Sequence, residues 1–292
     1  MGLSIPLIIF VGFAADIIGP PPFFLSTQPL WISGPIIVGL GTVVSMLGPI
    51  LVRRYVTLQR LTANNEIAGF KYAAIAVLYA VLLALATVAV WERFSDAELD
   101  VVHEAGAAEN IYRLSQGLND KTRVAVLNSV ANYLKAAMNT DWPAMDRGTV
   151  GMGGGAAKQA LDAIYATLVS SGVQGESTVI SEMLRQLELI TQSRRARLVA
   201  SEGAVPSLLW FVLLGGAAIT IGFTFFFGTE SLSAQVLMTA LLAFLIFSEL
   251  LVIVGMNRPF SGAIKVGLNP LAAVLTDIES RPDSGSRFRA PP

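Results

Sequence analysis

Apolar positions along this chain follow two different rhythms. In four blocks they run almost without a break: Leu30 to Val52, Tyr72 to Trp91, Ser207 to Gly228 and Ser233 to Val254. About 20 consecutive apolar residues in a helix cross the hydrocarbon core of a bilayer, and each block reaches that length. The first block closes on Arg53 and Arg54, and the second has aromatic residues at both ends, where interfacial belts sit. Only residues 229–232 separate the last two blocks, which predicts a tight antiparallel helical hairpin.

From Glu92 to Val205 the rhythm changes to steps of three and four, the spacing of one helical face. Ala97 to Leu118 predicts a first helix carrying Val101, Ala105, Ala108, Ile111 and Tyr112. A second follows with Val124, Leu127, Ala131, Leu134 and Met138. A weaker stripe of Leu161, Ile164 and Leu168 marks a third, and Ile180, Met183, Leu184, Leu187 and Ile190 mark a fourth. Asn119-Asp120 can cap the second helix, Asn139 to Pro143 breaks it, and five glycines within Gly148 to Gly155 predict a flexible loop. No stretch alternates with period two for long enough to suggest a sheet. The expected fold is therefore an all-α membrane protein, with four transmembrane helices and a helical-bundle domain inserted between the second and third.

The expected division is an N-terminal apolar segment at 1–29 and a first transmembrane pair within 30–91. A polar helical domain at 92–205, a second pair within 206–256 and a C-terminal segment with a disordered tail at 257–292 complete it. The first segment is ambiguous. Leu3 to Ile18 is short for a span, is interrupted by Asp16 and runs into Gly19-Pro20-Pro21-Pro22, while Met1 to Phe10 lacks the basic start of a signal peptide. It reads as interfacial or re-entrant, with an extra span as the alternative.

Composition narrows the function classes. Only 14% of the 292 residues are charged, against about 25% in a soluble domain, and 14 of the 21 acids lie in the inserted region. With no cysteine, a disulfide framework, a thiolate metal site and a thiol nucleophile are excluded. The single histidine, His103, excludes a metal site needing two imidazoles, and no catalytic, metal or cofactor site is expected. A net charge of −1, without basic residues interleaved with aromatics, excludes nucleic acid as a partner. The glycines before Lys158 lack the Gly-Lys-Ser/Thr spacing of a phosphate loop. Basic residues near span ends number four in the loop Arg53 to Lys71 and six on the opposite side. That majority favours placing the helical domain and the C-terminus in the cytoplasm, while the Arg53-Arg54 pair concentrated in the short loop argues the other way.

Few residues invite chemistry. Glu249 is the one carboxylate well inside a span, where a charge needs a partner or a wet cavity. It reads either as functional or as a helix–helix hydrogen-bonding group, and Thr220, Thr224 and Tyr79 are the polar groups on other spans that could meet it. Asn64, Asn65 and Glu66 form a polar interfacial cluster before the second span, read as a helix cap. Gly216, Thr220, Thr224 and Gly228, and separately Ala76, Ala80 and Ala84, repeat every four residues. Such small faces serve close helix packing or, alternatively, line a narrow pore.

Several short motifs occur in a fixed order. They are Asn64-Asn65-Glu66-Ile67-Ala68-Gly69-Phe70, Tyr79 to Ala84, Val90-Trp91-Glu92-Arg93-Phe94 and Asp141-Trp142-Pro143-Ala144-Met145. Gly222-Phe223-Thr224 with Phe227-Gly228, and Asn257-Arg258-Pro259-Phe260 with Gly262, follow. From about Leu51 to Asn269 this succession resembles the bestrophin-like family of bacterial integral membrane proteins. The resemblance implies a likeness to bestrophins, pentameric anion channels with four spans per subunit and a helical cytosolic part. It implies no functional residues, and the long acidic calcium-binding cluster of animal bestrophins is missing. The expected protein is a multi-pass component of a bacterial cell membrane, a homo-oligomeric channel or passive pore whose partners are the lipid bilayer and inorganic ions. The alternative is a non-conducting scaffold or sensor whose helical domain docks a cytosolic protein.

Overall fold

The computed structural model describes residues 32, 34–63, 65–149, 155–172, 177–262 and 264–280. The N-terminal segment 1–29, Asn64, most of the glycine loop and the tail from Arg281 lie outside the described residues. The helices are α1 (Gly41–Tyr55, led in by a π-helical Pro35–Leu40), α2 (Leu58–Thr62), α3 (Asn65–Leu114), α4 (Asp120–Ala136) and α5 (Trp142–Asp146). They continue as α6 (Ala156–Gly172), α7 (Ser177–Ala200), α8 (Ser207–Thr224), α9 (Leu232–Met256) and α10 (Asn269–Ser280). No strand occurs among the described residues. Among the described residues four helices are long and apolar enough to cross a membrane: Pro35–Tyr55, the first part of α3, α8 and α9.

The chain divides into two compact units, one of residues 1–92, 204–258 and 262–264, the other of 93–203, 259–261 and 265–292. In the first unit Tyr79, Leu83, Ala86 and Val90 of α3 bury against Trp210, Leu213 and Ala217 of α8, and Ile246, Leu250 and Ile253 of α9. Each set steps by three or four, so each helix offers one stripe to the core. The rest of the helical surface stays apolar and open, with Leu78, Val81, Leu85, Leu237, Leu241 and Leu245 all more than half exposed. That surface would be costly in water and is at home in hydrocarbon.

In the second unit the core is built from Val101, Ala105, Ala108 and Ile111 of α3, with Val126, Val130 and Leu134 of α4, Ile164 of α6 and Met183, Leu187 and Ile190 of α7. The cap expected at Asn119 is present, its side chain accepting from the Thr122 N–H at 2.9 Å. Tyr72–Trp91 and Ala97–Leu114 lie in one 50-residue helix, α3, so the bundle continues directly from the second span; residues 92–96 contain no glycine or proline to break it. Two details differ from the spacing. The buried face of α4 runs through Val126, Val130 and Tyr133, leaving Val124 half exposed. The C-terminal segment holds an amphipathic helix, α10, whose Leu271, Val274 and Ile278 are buried.

Candidate functional site

In the first unit Glu249 of α9 is half-buried and meets a hydroxyl that the sequence did not single out. Thr87 of α3 donates to Glu249 Oε1 at 2.7 Å. Tyr79, Thr220 and Thr224 are engaged elsewhere or not at all. The Tyr79 hydroxyl donates to the Leu213 carbonyl at 3.0 Å, and Thr224 donates to the Ile221 carbonyl at 2.6 Å. Thr220 is buried with its hydroxyl unpartnered among the described residues. Sequence could not separate Thr87 from its neighbours, since a lone threonine in a span most often bonds its own helix.

The small-residue stripes separate on inspection. Gly216 lies flush against Tyr79, where a Cβ would come within 2.5 Å of the ring, and a Cβ on Gly228 would come within 2.7 Å of the Thr62 backbone nitrogen. These two glycines are close-packing positions. Ala80 and Ala84 point out of the subunit, and Ala76 is half-buried. Asn65 clamps Gly228: its Nδ2 donates to the Gly228 carbonyl at 2.6 Å, and its Oδ1 accepts from the Gly228 N–H at 3.0 Å. The Asn65 side chain thus ties α3 to the end of α8, whereas the sequence suggested a helix cap. Glu66 is exposed in the first turn of α3, where its charge complements the helix dipole.

α8 is held at its other end as well. Asn257 Oδ1 accepts from the N–H groups of Ala204 and Val205 at 3.1 and 2.9 Å, and the Asn257 carbonyl accepts again from Ala204 at 3.0 Å. These two N–H groups lie in the turn just ahead of α8, whose N-cap is Pro206, so Asn257 fixes the chain at its entry into the helix.

The second unit contains a cluster that sequence reasoning missed. Arg197 and Glu104 have fully buried side chains, with Arg197 Nε 2.8 Å from Glu104 Oε2 and Nη2 3.1 Å from Oε1. Arg194 grips Asp141 through Nε at 2.8 Å and Nη2 at 3.3 Å, and Arg197 Nη2 also reaches Asp141 at 3.5 Å. The Tyr133 hydroxyl donates to Glu104, and the Arg197 guanidinium lies 4.8 Å above the Trp142 ring. Two arginines and two carboxylates cancel, so the interior carries pairs and no net charge. Burial works against the Arg197 cation, but Glu104, with Tyr133 and Asp141, more than offsets it and holds the guanidinium protonated. Burial first, then the Glu104 charge, pushes the Tyr133 phenol well above its ordinary range.

Local backbone puts Asp141 in place. Pro143 cannot donate a backbone hydrogen bond, and just before it the helix widens into a π-turn, Ala137–Asp141, with the Trp142 N–H bonded to the Ala137 carbonyl. A signal was available in the sequence. Ile190, Arg194 and Arg197 continue the apolar face of α7 by steps of four and three, and Glu104 lies between Val101 and Ala105. A charge on a core face must be buried and paired. No metal-ligating group of three or more acidic or histidine side chains occurs among the described residues.

Residues 39–271 match the family model described as bestrophin-like domain. A crystal structure of a bacterial bestrophin homolog from Klebsiella pneumoniae aligns with a TM-score of 0.66 at 11% identity, covering 84% of this chain and 97% of that one. A point mutant of that homolog aligns at 0.65 and 11%, covering 84% and 99%. A further crystal structure, described as a membrane protein, aligns at 0.68 and 11%, covering 83% and 97%. At such identity the likeness concerns the fold. No curated protein matches this chain.

Proposed function

The chain belongs to the bestrophin-like family, and from that premise we propose that it forms a homo-oligomeric membrane pore for small inorganic ions. The observation that carries this reading is the family match over residues 39–271, joined to a fold in which four helices among the described residues are long and apolar enough to cross a membrane. Bestrophins, which the family resembles, conduct ions as oligomers. The exposed Ala80 and Ala84 on the membrane part of α3 support association, since small residues let helices approach closely where hydrophobicity supplies no drive.

Glu249 bears on selectivity. A carboxylate on the conduction path would repel anions, but its bond to Thr87 lies between two helices of one subunit and supports a packing role. Purified protein in proteoliposomes is expected to conduct chloride or potassium, and Glu249→Gln, which keeps the shape and one hydrogen bond to Thr87, is expected to leave assembly and flux unchanged. A well-folded oligomer that passes neither ion would favour the scaffold reading. Altered pH dependence of flux in Glu249→Gln would return Glu249 to the pathway.

In this reading the unit containing residues 93–203 lies in the cytoplasm. Reporter fusions after Glu92 and after Met256 should then both report cytoplasm, and a periplasmic signal from both would invert the orientation.

A further inference from the structure

We propose that the seam between α8 and α9 is a water-binding site, hydrated from the hairpin loop inward as far as Thr220, within a single subunit. Four oxygen-bearing side chains, one pair of them in contact, lie buried on these two otherwise apolar helices. Gln235 and Thr239 stand one turn apart on α9, at 2% and 1% exposure, and Thr220 and Thr224 one turn apart on α8, with Thr220 at 2%. Thr224 and Thr239 approach each other at 3.3 Å. Because the Thr224 hydroxyl hydrogen is committed to the Ile221 carbonyl, Thr239 is the donor in that pair.

The two ends of this ladder are open in the hydrogen-bonding sense. Gln235 Nε2 donates to the Phe227 carbonyl at 2.5 Å and the Phe225 carbonyl at 3.3 Å, both in the loop just past the end of α8. Its Oε1 is buried with no donor, and the Thr220 hydroxyl, one turn deeper than Thr224, has no partner. Threonine in a helix commonly satisfies itself on the carbonyl four residues back, and Thr220 does not. A dry seam would leave an acceptor at one end and a hydroxyl at the other unsatisfied in hydrocarbon, a cost that buried polar groups avoid by binding water. Gln235 lies in the first turn of α9 beside the loop 225–231, which is the end from which water enters the seam in this proposal. Hydroxyls and an amide, without a carboxylate or a cation, fit a neutral, hydrogen-bonding ligand. The assignment is therefore to water, and it stands apart from any passage formed between copies of the chain.

The chain has no cysteine, so single-cysteine variants of the full-length protein report cleanly. Thr239→Cys, exposed Ser233→Cys and lipid-facing Leu245→Cys are treated in proteoliposomes with a small charged methanethiosulfonate. The reagent needs a hydrated thiolate. Thr239→Cys is expected to react within about a hundredfold of Ser233→Cys and well above Leu245→Cys. A rate as low as that of Leu245→Cys would overturn the proposal. Thr220→Val provides a test without a thiol, read as the thermal midpoint of the purified protein. If the hydroxyl binds water, the isosteric valine lowers Tm. If the seam is dry, removing an unsatisfied hydroxyl leaves Tm unchanged or raises it, and the proposal falls.

Discussion

Arg197→Met is expected to lower the thermal midpoint of the detergent-purified protein by about 10 °C or more. Its guanidinium is fully buried, gives two parallel hydrogen bonds to Glu104 and reaches Asp141 and the Met145 sulfur. Methionine fills much of the same volume and leaves Glu104 charged, buried and bonded only to Tyr133. Stranding one member of a buried pair costs about 3–5 kcal/mol, far more than the pair itself contributes relative to apolar residues. Arg197→Lys should fail almost as badly, because an ammonium cannot form the parallel pair, reach Asp141 and keep the guanidinium's place over the Trp142 ring together. Joining Glu104→Leu to Arg197→Met removes both charges and should recover most of the loss. An Arg197→Met protein melting within about 2 °C of the parent would refute this account, since that shift corresponds to less than about 1 kcal/mol.

Gly228→Ala is expected to cost about 3 kcal/mol, read as a second large fall in Tm. An ideal Cβ would stand 2.7 Å from the Thr62 nitrogen and 2.9 Å from the Leu61 carbonyl carbon. Backbone atoms cannot rotate aside, so the α8–α9 loop must move and the two hydrogen bonds between Asn65 and Gly228, one in each direction, must stretch. Gly222→Ala is the control: a Cβ there meets nothing within 4 Å, and helix propensity favours alanine by about 1 kcal/mol. Asn65→Asp should behave like Gly228→Ala despite its matching size. It keeps the acceptor for the Gly228 N–H and turns the donor into an oxygen facing the Gly228 carbonyl. If Gly228→Ala and Gly222→Ala melt together, the close approach is not what holds the loop.

The sequence made some of this architecture legible and hid the rest for physical reasons. The apolar blocks stand out because a bilayer demands length and uniformity, and α8 and α9 begin within one residue of expectation. The C-terminal ends were harder, since Phe225, Phe226 and Phe227 are as apolar as α8 yet lie in the loop. Polarity changes at Glu92–Asp96, but polarity does not break a helix, and α3 runs through the change. Arg194 and Arg197 were weighed only as topological charges, and pairing with Glu104 and Asp141 became visible once three helices had been brought together. Thr87 had no pattern around it to distinguish it. Asn65 and Asn257 lay within recognisable motifs, but motifs do not reveal that each closes on backbone more than fifty positions away.

The two asparagines at the ends of α8 also set an order of events during synthesis. Asn65 is made long before Gly228 and waits for it, 163 residues downstream. Asn257 leaves the ribosome 53 residues after Ala204, whose N–H it must receive. When α8 is first made, the Ala204 and Val205 N–H groups just ahead of it therefore lack their acceptor, and they gain it only when α9 has been delivered in full. The third crossing is provisional until the fourth is complete, so a chain truncated between Ser231 and Asn257 should be a better substrate for membrane proteolysis than one stopped just beyond Phe260.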